Sequence, residues 1–293
     1  MRWGDMRPSD NVEDRRGSGG GRLPLGGGMR LGGGALIVVV ILSLVFGVNP
    51  MQFLGMMEGA GPAVAPPQPA APAQTAPAPA AKDPEGAFVR RTLGDTEDVW
   101  TALFEGMGSR YEPPRLVLFA GATPSACGHA SAAAGPFYCP ADRKVYLDTA
   151  FFQELSRKFG APGDFAAAYV IAHEIGHHVQ NQMGTMRKFD QAAARTDARG
   201  RNALSVRLEL QADCYAGVWG FYAAKRNLLE PGDVEEGLRA ASAVGDDTIQ
   251  QRARGHVVPD AFTHGSADQR VRWFRAGLAS GDPRSCNTFA NDR

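Results

Sequence analysis

The chain has 293 residues, 44% of them hydrophobic, and its 31 Lys+Arg are balanced by 31 Asp+Glu. That is enough apolar material for a core of ordinary size, and the zero formal net charge excludes the basic excess expected of a nucleic-acid-binding protein. Composition is uneven along the chain, so the segments are informative in order.

Residues 1–30 are rich in Gly and Arg with no apolar periodicity, and are expected to be a disordered cytoplasmic segment. Residues 31–57 carry no charge, and Ala35–Val48 is almost wholly aliphatic. At about 1.5 Å per residue this run crosses a hydrocarbon layer of about 30 Å, so one transmembrane helix is expected. The long leader and the distance to Ala63-Val64-Ala65 argue against a cleaved signal peptide. Arg2, Arg7, Arg15, Arg16, Arg22 and Arg30 precede the run, whereas the first basic residue after it is Lys82. The positive-inside rule then gives a single-pass inner-membrane protein, its N-terminus cytoplasmic and the rest periplasmic or extracellular. Residues 58–82 are Pro/Ala-rich and read as an extended spacer.

A folded domain is expected over 83–293. Phe88–Met107 approximates helical spacing, Arg115–Ala120 and Lys144–Asp148 read as strands, and Thr149–Leu155 as a short helix. Lys144–Asp148 is read either as a sheet edge able to pair with an extended substrate or as a central strand. Helices follow at Asp164–Met183, Gly200–Asn227, Asp233 to about Ala253, and Ser266–Ala279 with Ser266 as cap. The class is α+β, mostly helical, with a small sheet and no internal repeat.

The chemistry is concentrated in His173-Glu174-Ile175-Gly176-His177-His178, inside the helix expected to run from Asp164 to Met183, amphipathic with Gly184 beyond its end. Residues four apart on a helix are roughly 40° apart around the axis and about 6 Å along it, so His173 and His177 leave one face. That spacing suits two nitrogens on one Zn²⁺, and Glu174 is turned aside to act as base on a metal-activated water. A third ligand must come from elsewhere, and Glu209, His256, His264 and His178 are the candidates. Glu209 is favoured, because Asp213 lies four residues on, where it can accept the other ring N–H of a ligand histidine. The extended pattern with a third histidine fails, since its Gly and His positions hold Gln180 and Met183. His264 is read either as a donor to a tetrahedral oxyanion or as a loop histidine, and His178, turned off the ligand face, as a packing residue or a support to the ligand residues.

His173–Asn181, Glu209–Gly217 and His264-Gly265-Ser266 with Gln269-Arg270, in that order, resemble the bacterial neutral zinc metallopeptidase family. The resemblance covers about Asp83 to the C-terminus. It implies a zincin-like fold, His173, His177 and Glu209 as zinc ligands, Glu174 as catalytic residue, and a peptide or protein substrate. Two other functions fit the same residues: an amidase acting on a non-peptide or cell-wall bond, and a binding module with a structural zinc.

Cys127, Cys139, Cys214 and Cys286 all follow the apolar run, on the side where disulfides persist. Of three connectivities, Cys127–Cys139 closes a short loop and leaves Cys214 to tie the Glu209 helix to Cys286. A Cys/His zinc ribbon lacks any Cys-x-x-Cys pair.

Overall fold

The computed structural model describes residues 1–17, 83–131 and 135–290. The expected transmembrane helix at 31–57 and spacer at 58–82 lie outside these residues. Among the described residues, no helix is long and apolar enough to cross a membrane.

The strands are β1 Val12–Asp14, β2 Arg115–Phe119, β3 Ala122–Ser125, β4 Gly128–Ser131, β5 Phe137–Cys139 and β6 Lys144–Asp148. The helices are α1 Pro84–Gly106, α2 Ala150–Arg157, α3 Asp164–Gln182, α4 Thr185–Ala193, α5 Ala198–Lys225, α6 Asp233–Ala243, α7 Asp246–Arg254 and α8 Ala267–Ser280. The main sheet has the order β1-β2-β6-β5, parallel except for β5, and β3 and β4 form a separate hairpin. Mostly helical α+β is therefore the observed class.

Local chemistry explains most helix ends. Asp83 accepts the N–H of Gly86 ahead of Pro84, Asp197 accepts that of Gly200, and Ser266 forms a capping box with Gln269. Gly184 takes the left-handed conformation just beyond α3, as its position predicts. The helix expected from Asp233 to Ala253 is instead two, broken at Gly245, where a Cβ would stand 2.4 Å from the Ala267 nitrogen. The break turns the side chains of Asp246 and Asp247 toward the chain that enters α8.

Of the two readings of Lys144–Asp148, the central strand is the one observed, because β6 lies between β2 and β5. Two expectations are corrected. α3 is not amphipathic: Phe165–Gln180 is buried throughout, so its polar residues must find partners inside the protein. Residues 1–17 are not disordered: β1 pairs with β2, and Met1 and Met6 join the main apolar core. Two of their arginines form long-range pairs, Arg7 with Glu97 and Asp98, and Arg16 with Asp83. Such partners lie far along the chain and leave no local pattern.

The core fills the space between α1, the sheet, α3, α5 and α8, with Trp100, Trp219, Tyr169, Phe165 and Phe274 fully buried. Both expected disulfides form, Cys127–Cys139 and Cys214–Cys286.

Candidate metal centre and active site

Two close helix crossings assemble the site. At Gly176 a Cβ would sit 3.0 Å from the Ala212 carbonyl oxygen, tighter than an ordinary contact, so glycine eases the close approach of α5 to the motif helix. Ala212 is flanked by Glu209 and Asp213, which the crossing brings level with His173 and His177. At the second crossing, a Cβ on Gly277 would stand 1.9 Å from the Cys214 carbonyl oxygen. α8 therefore lies against α5 and delivers Arg270 to Asp213.

His173, His177 and Glu209 present one ligand atom each within 4.8 Å of one another. The two Nε2 atoms are 3.1 Å apart, His173 Nε2 is 3.1 Å from Glu209 Oε2, and His177 Nε2 is 3.5 Å from Glu209 Oε1. Ligands at about 2.0–2.1 Å in a tetrahedron are themselves about 3.3 Å apart, so this triangle has the size a zinc ion needs. His256 is exposed, and His178 points to the opposite side of α3, where its Nε2 donates to the Glu112 carbonyl at 2.7 Å. Of the four third-ligand candidates, only Glu209 joins the pair.

The outward nitrogens of both histidines are fixed. His173 Nδ1 donates to Asp213 Oδ1 at 2.8 Å, as the spacing of Glu209 and Asp213 anticipates. Asp213 is itself held by both Nε and Nη2 of Arg270, at 2.8 and 2.9 Å, and by the Tyr169 hydroxyl at 2.5 Å. His177 Nδ1 lies 2.9 Å from Gln180 Oε1, and the Gln180 amide nitrogen donates to the Leu208 carbonyl and to Gln211. Because that nitrogen is committed, Oε1 must face His177, and Nδ1 must carry the proton. Each Nε2 is thereby left to face the centre. Sequence reasoning missed Gln180 as a partner, although its place three residues after His177 puts it on the same helix flank.

The charges agree with a cation at this point. Burial opposes a charged His173, but the Asp213 carboxylate, with Glu209, raises it to about 10. Glu209 is held well below its ordinary value despite burial, by the charges of His177 and His264 and by its bonds to the histidine pair. A proton on His173 balances the Glu209 carboxylate, and a bound dication would take that proton's place. The donor set, spacing and charge therefore fit Zn²⁺.

Glu174 is 7% exposed, beside the triad but outside it. Burial pushes its carboxyl upward against the pull of His173 and His177, which is the environment of a base rather than of a permanently ionised ligand.

His264 lies in the loop before α8, outside the triad but near enough that, despite burial, the charge of the Glu209 carboxylate raises it. Asp246 shapes that loop: its Oδ2 accepts the backbone N–H groups of Thr263, His264 and Gly265 at 2.7, 2.6 and 3.0 Å, while Oδ1 lies 3.4 Å from His264 Nδ1. No motif marks Asp246 in the sequence. The break at Gly245 is what places it.

The sequence profile described as putative neutral zinc metallopeptidase matches residues 1–289. The chain is 47% identical over 292 residues to the uncharacterized protein YpfJ of Escherichia coli (strain K12), covering 99% of each. It is 46% identical over 210 residues to the uncharacterized protein Rv2575 of Mycobacterium tuberculosis (strain ATCC 25618 / H37Rv), covering 68% of this chain and 69% of that one. No solved structure matches it.

Proposed function

The chain belongs to the neutral zinc metallopeptidase family, and from that premise we propose that it hydrolyses peptide bonds in extended peptide or protein substrates. The observation that carries the reading is the convergence of His173 Nε2, His177 Nε2 and a Glu209 carboxylate oxygen beside a buried Glu174 that is not part of the triad. A structural zinc site is closed by four protein ligands, whereas three ligands with an adjacent base are the set of a hydrolytic site.

Bound there, Zn²⁺ supplies Lewis acidity, polarising a carbonyl and making water a stronger acid. Glu174 takes the proton from the attacking water and returns it to the departing amine. His264, anchored by Asp246, donates to the oxygen on which negative charge develops. Asp213, locked by Arg270 and Tyr169, holds His173 in register, and Gln180 does the same for His177. These roles, and a zincin-like architecture, are supported by the motif helix running beside a mixed sheet whose edge strand is antiparallel. An exported domain is supported by its two disulfides. Membrane attachment through 31–57 is supported by the uncharged sequence of that stretch.

The test uses the purified full chain. Metal content and hydrolysis of casein and of peptidoglycan are measured before and after chelation, for the native protein and for Glu174→Gln. Stoichiometric zinc, casein cleavage abolished by chelation, and a fall in kcat of about 10²–10⁴ in Glu174→Gln with zinc retained are expected. Cleavage of peptidoglycan alone would make it an amidase. Unchanged properties in Glu174→Gln would make the zinc structural.

A further inference from the structure

The arginine-rich first segment and the metal-binding domain, which the charge pattern assigns to opposite sides of a membrane, are one folded unit. β1 pairs with β2 in register, Val12 with Leu116 through Asp14 with Leu118. The ladder continues at both ends, where Leu116 N–H donates to the Asn11 carbonyl at 2.9 Å and Arg15 N–H to the Leu118 carbonyl at 2.7 Å. α1 is shaped for the segment: at Gly94 a Cβ would stand 2.2 Å from the Arg7 carbonyl oxygen. α1 also carries Glu97, a carboxylate only 5% exposed, whose hydrogen bonds come from Ser9 Oγ at 2.6 Å, Asn11 Nδ2 at 2.8 Å and Arg7 Nη2 at 2.9 Å. Residues 7–11 supply both the cover over this carboxylate and all of its side-chain hydrogen bonds. The docking is thus built into both partners.

A folded unit lies on one side of a bilayer. The uncharged stretch 31–57 holds 27 residues, against about 20 needed for one helical crossing and about 40 for two. One crossing would leave β1 and β2 on opposite faces. We propose that residues 1–17 share the compartment of the domain formed by 83–290, so that the stretch between them does not separate the two. Arg7 and Arg16 then serve the folded domain as ion-pair partners and not as a cytoplasmic anchor. This inference rests on the pairing of β1 with β2 and is independent of the catalytic reading.

The test uses the full chain in intact cells and spheroplasts. Its four cysteines are all in disulfides, so added thiols are unambiguous. Asp10 and Arg275 are both exposed, and Asp10→Cys and Arg275→Cys are probed separately with a membrane-impermeant thiol reagent. Equal labelling of the two, or equal protection of the two until lysis, is expected. In a second arm Gly4→Cys, whose Cβ enters open space, is paired with Arg91→Cys, since Arg91 Nη1 donates to the Gly4 carbonyl at 2.7 Å. A short bismaleimide should close a loop that changes mobility on a denaturing gel. A bridge between two copies would equally place the segment on the domain's side. Labelling of one site with protection of the other, and no bridge of either kind, would overturn the proposal.

Discussion

Gln180 and His178 stand on the same helix as the metal-binding pair and do opposite things. Gln180 converts a buried amide into an orienting device: its nitrogen is spent on Leu208 and Gln211, so its oxygen can only accept from His177. Substituting Gln180→Leu should weaken zinc binding about 10–100-fold while the fold persists, as removal of such partners does elsewhere. Competition with a chromophoric chelator measures this, and unchanged affinity would mean that His177 needs no such partner. His178 is neutral in the fold, because burial depresses it from 6.5 to about 4 even though its bond to the Glu112 carbonyl works the other way. The unfolded chain therefore takes up a proton below about 6.5 that the folded chain refuses until about 4, so stability falls as pH drops through that window. From pH 7 to pH 5 the loss from this residue is about 2 kcal/mol. Denaturant titrations at the two pH values should show it, and His178→Gln should flatten the difference; an equal difference in both proteins would assign the pH dependence to other groups.

The elements divide into those a sequence can announce and those it cannot. The motif helix, its Gly184 terminus and the Ser266 cap were legible because each rests on residues within one or two turns. β5, with three residues, is shorter than the alternation that identifies a strand, and the break at Gly245 interrupts a pattern that reads as continuous helix. That matters for substrate binding, because the edge beside the metal helix is β5 and not β6. β5 is fastened to α3 through the Tyr138 hydroxyl, which receives Asn181 Nδ2 at 2.8 Å and lies 3.1 Å from His178 Nδ1. Its far side has no strand partner among the described residues, so an extended peptide can add there by ladder hydrogen bonds. Proline placed in β5, at a residue whose N–H points away from β6, should raise KM for peptides and leave zinc content unchanged. Loss of folding would show that this edge is covered in the protein, and an unchanged KM that substrates bind elsewhere.

At the scale of the whole molecule, the triad and its orienting acid could be read from two motifs, but the extent of the domain could not. A domain boundary drawn by composition falls at residue 83, where the Pro/Ala-rich stretch ends. The structure makes the domain discontinuous, since β1, the buried Met1 and Met6, and the donors to Glu97 all come from residues 1–17. A fragment of residues 83–293 would expose the outer edge of β2, uncover the core that Met1 and Met6 fill, and strip Glu97 of its donors. Two buried methionines are worth about 1.5–3 kcal/mol each, and the lost ladder and hydrogen bonds add to that. Against a typical total of about 5–15 kcal/mol, that is a large part of the stability of a domain. The fragment should therefore be largely unfolded or strongly aggregation-prone at room temperature. Adding a peptide of residues 1–17 in excess should restore a cooperative thermal transition and zinc binding, with a Tm that rises with peptide concentration. The measurement is calorimetry of the fragment with and without the peptide, with the peptide carrying Ser9→Ala, Asn11→Ala and Arg7→Ala as control. A fragment that unfolds cooperatively at the Tm of the full chain, indifferent to the peptide, would show that the N-terminal strand is an accessory and not part of the domain.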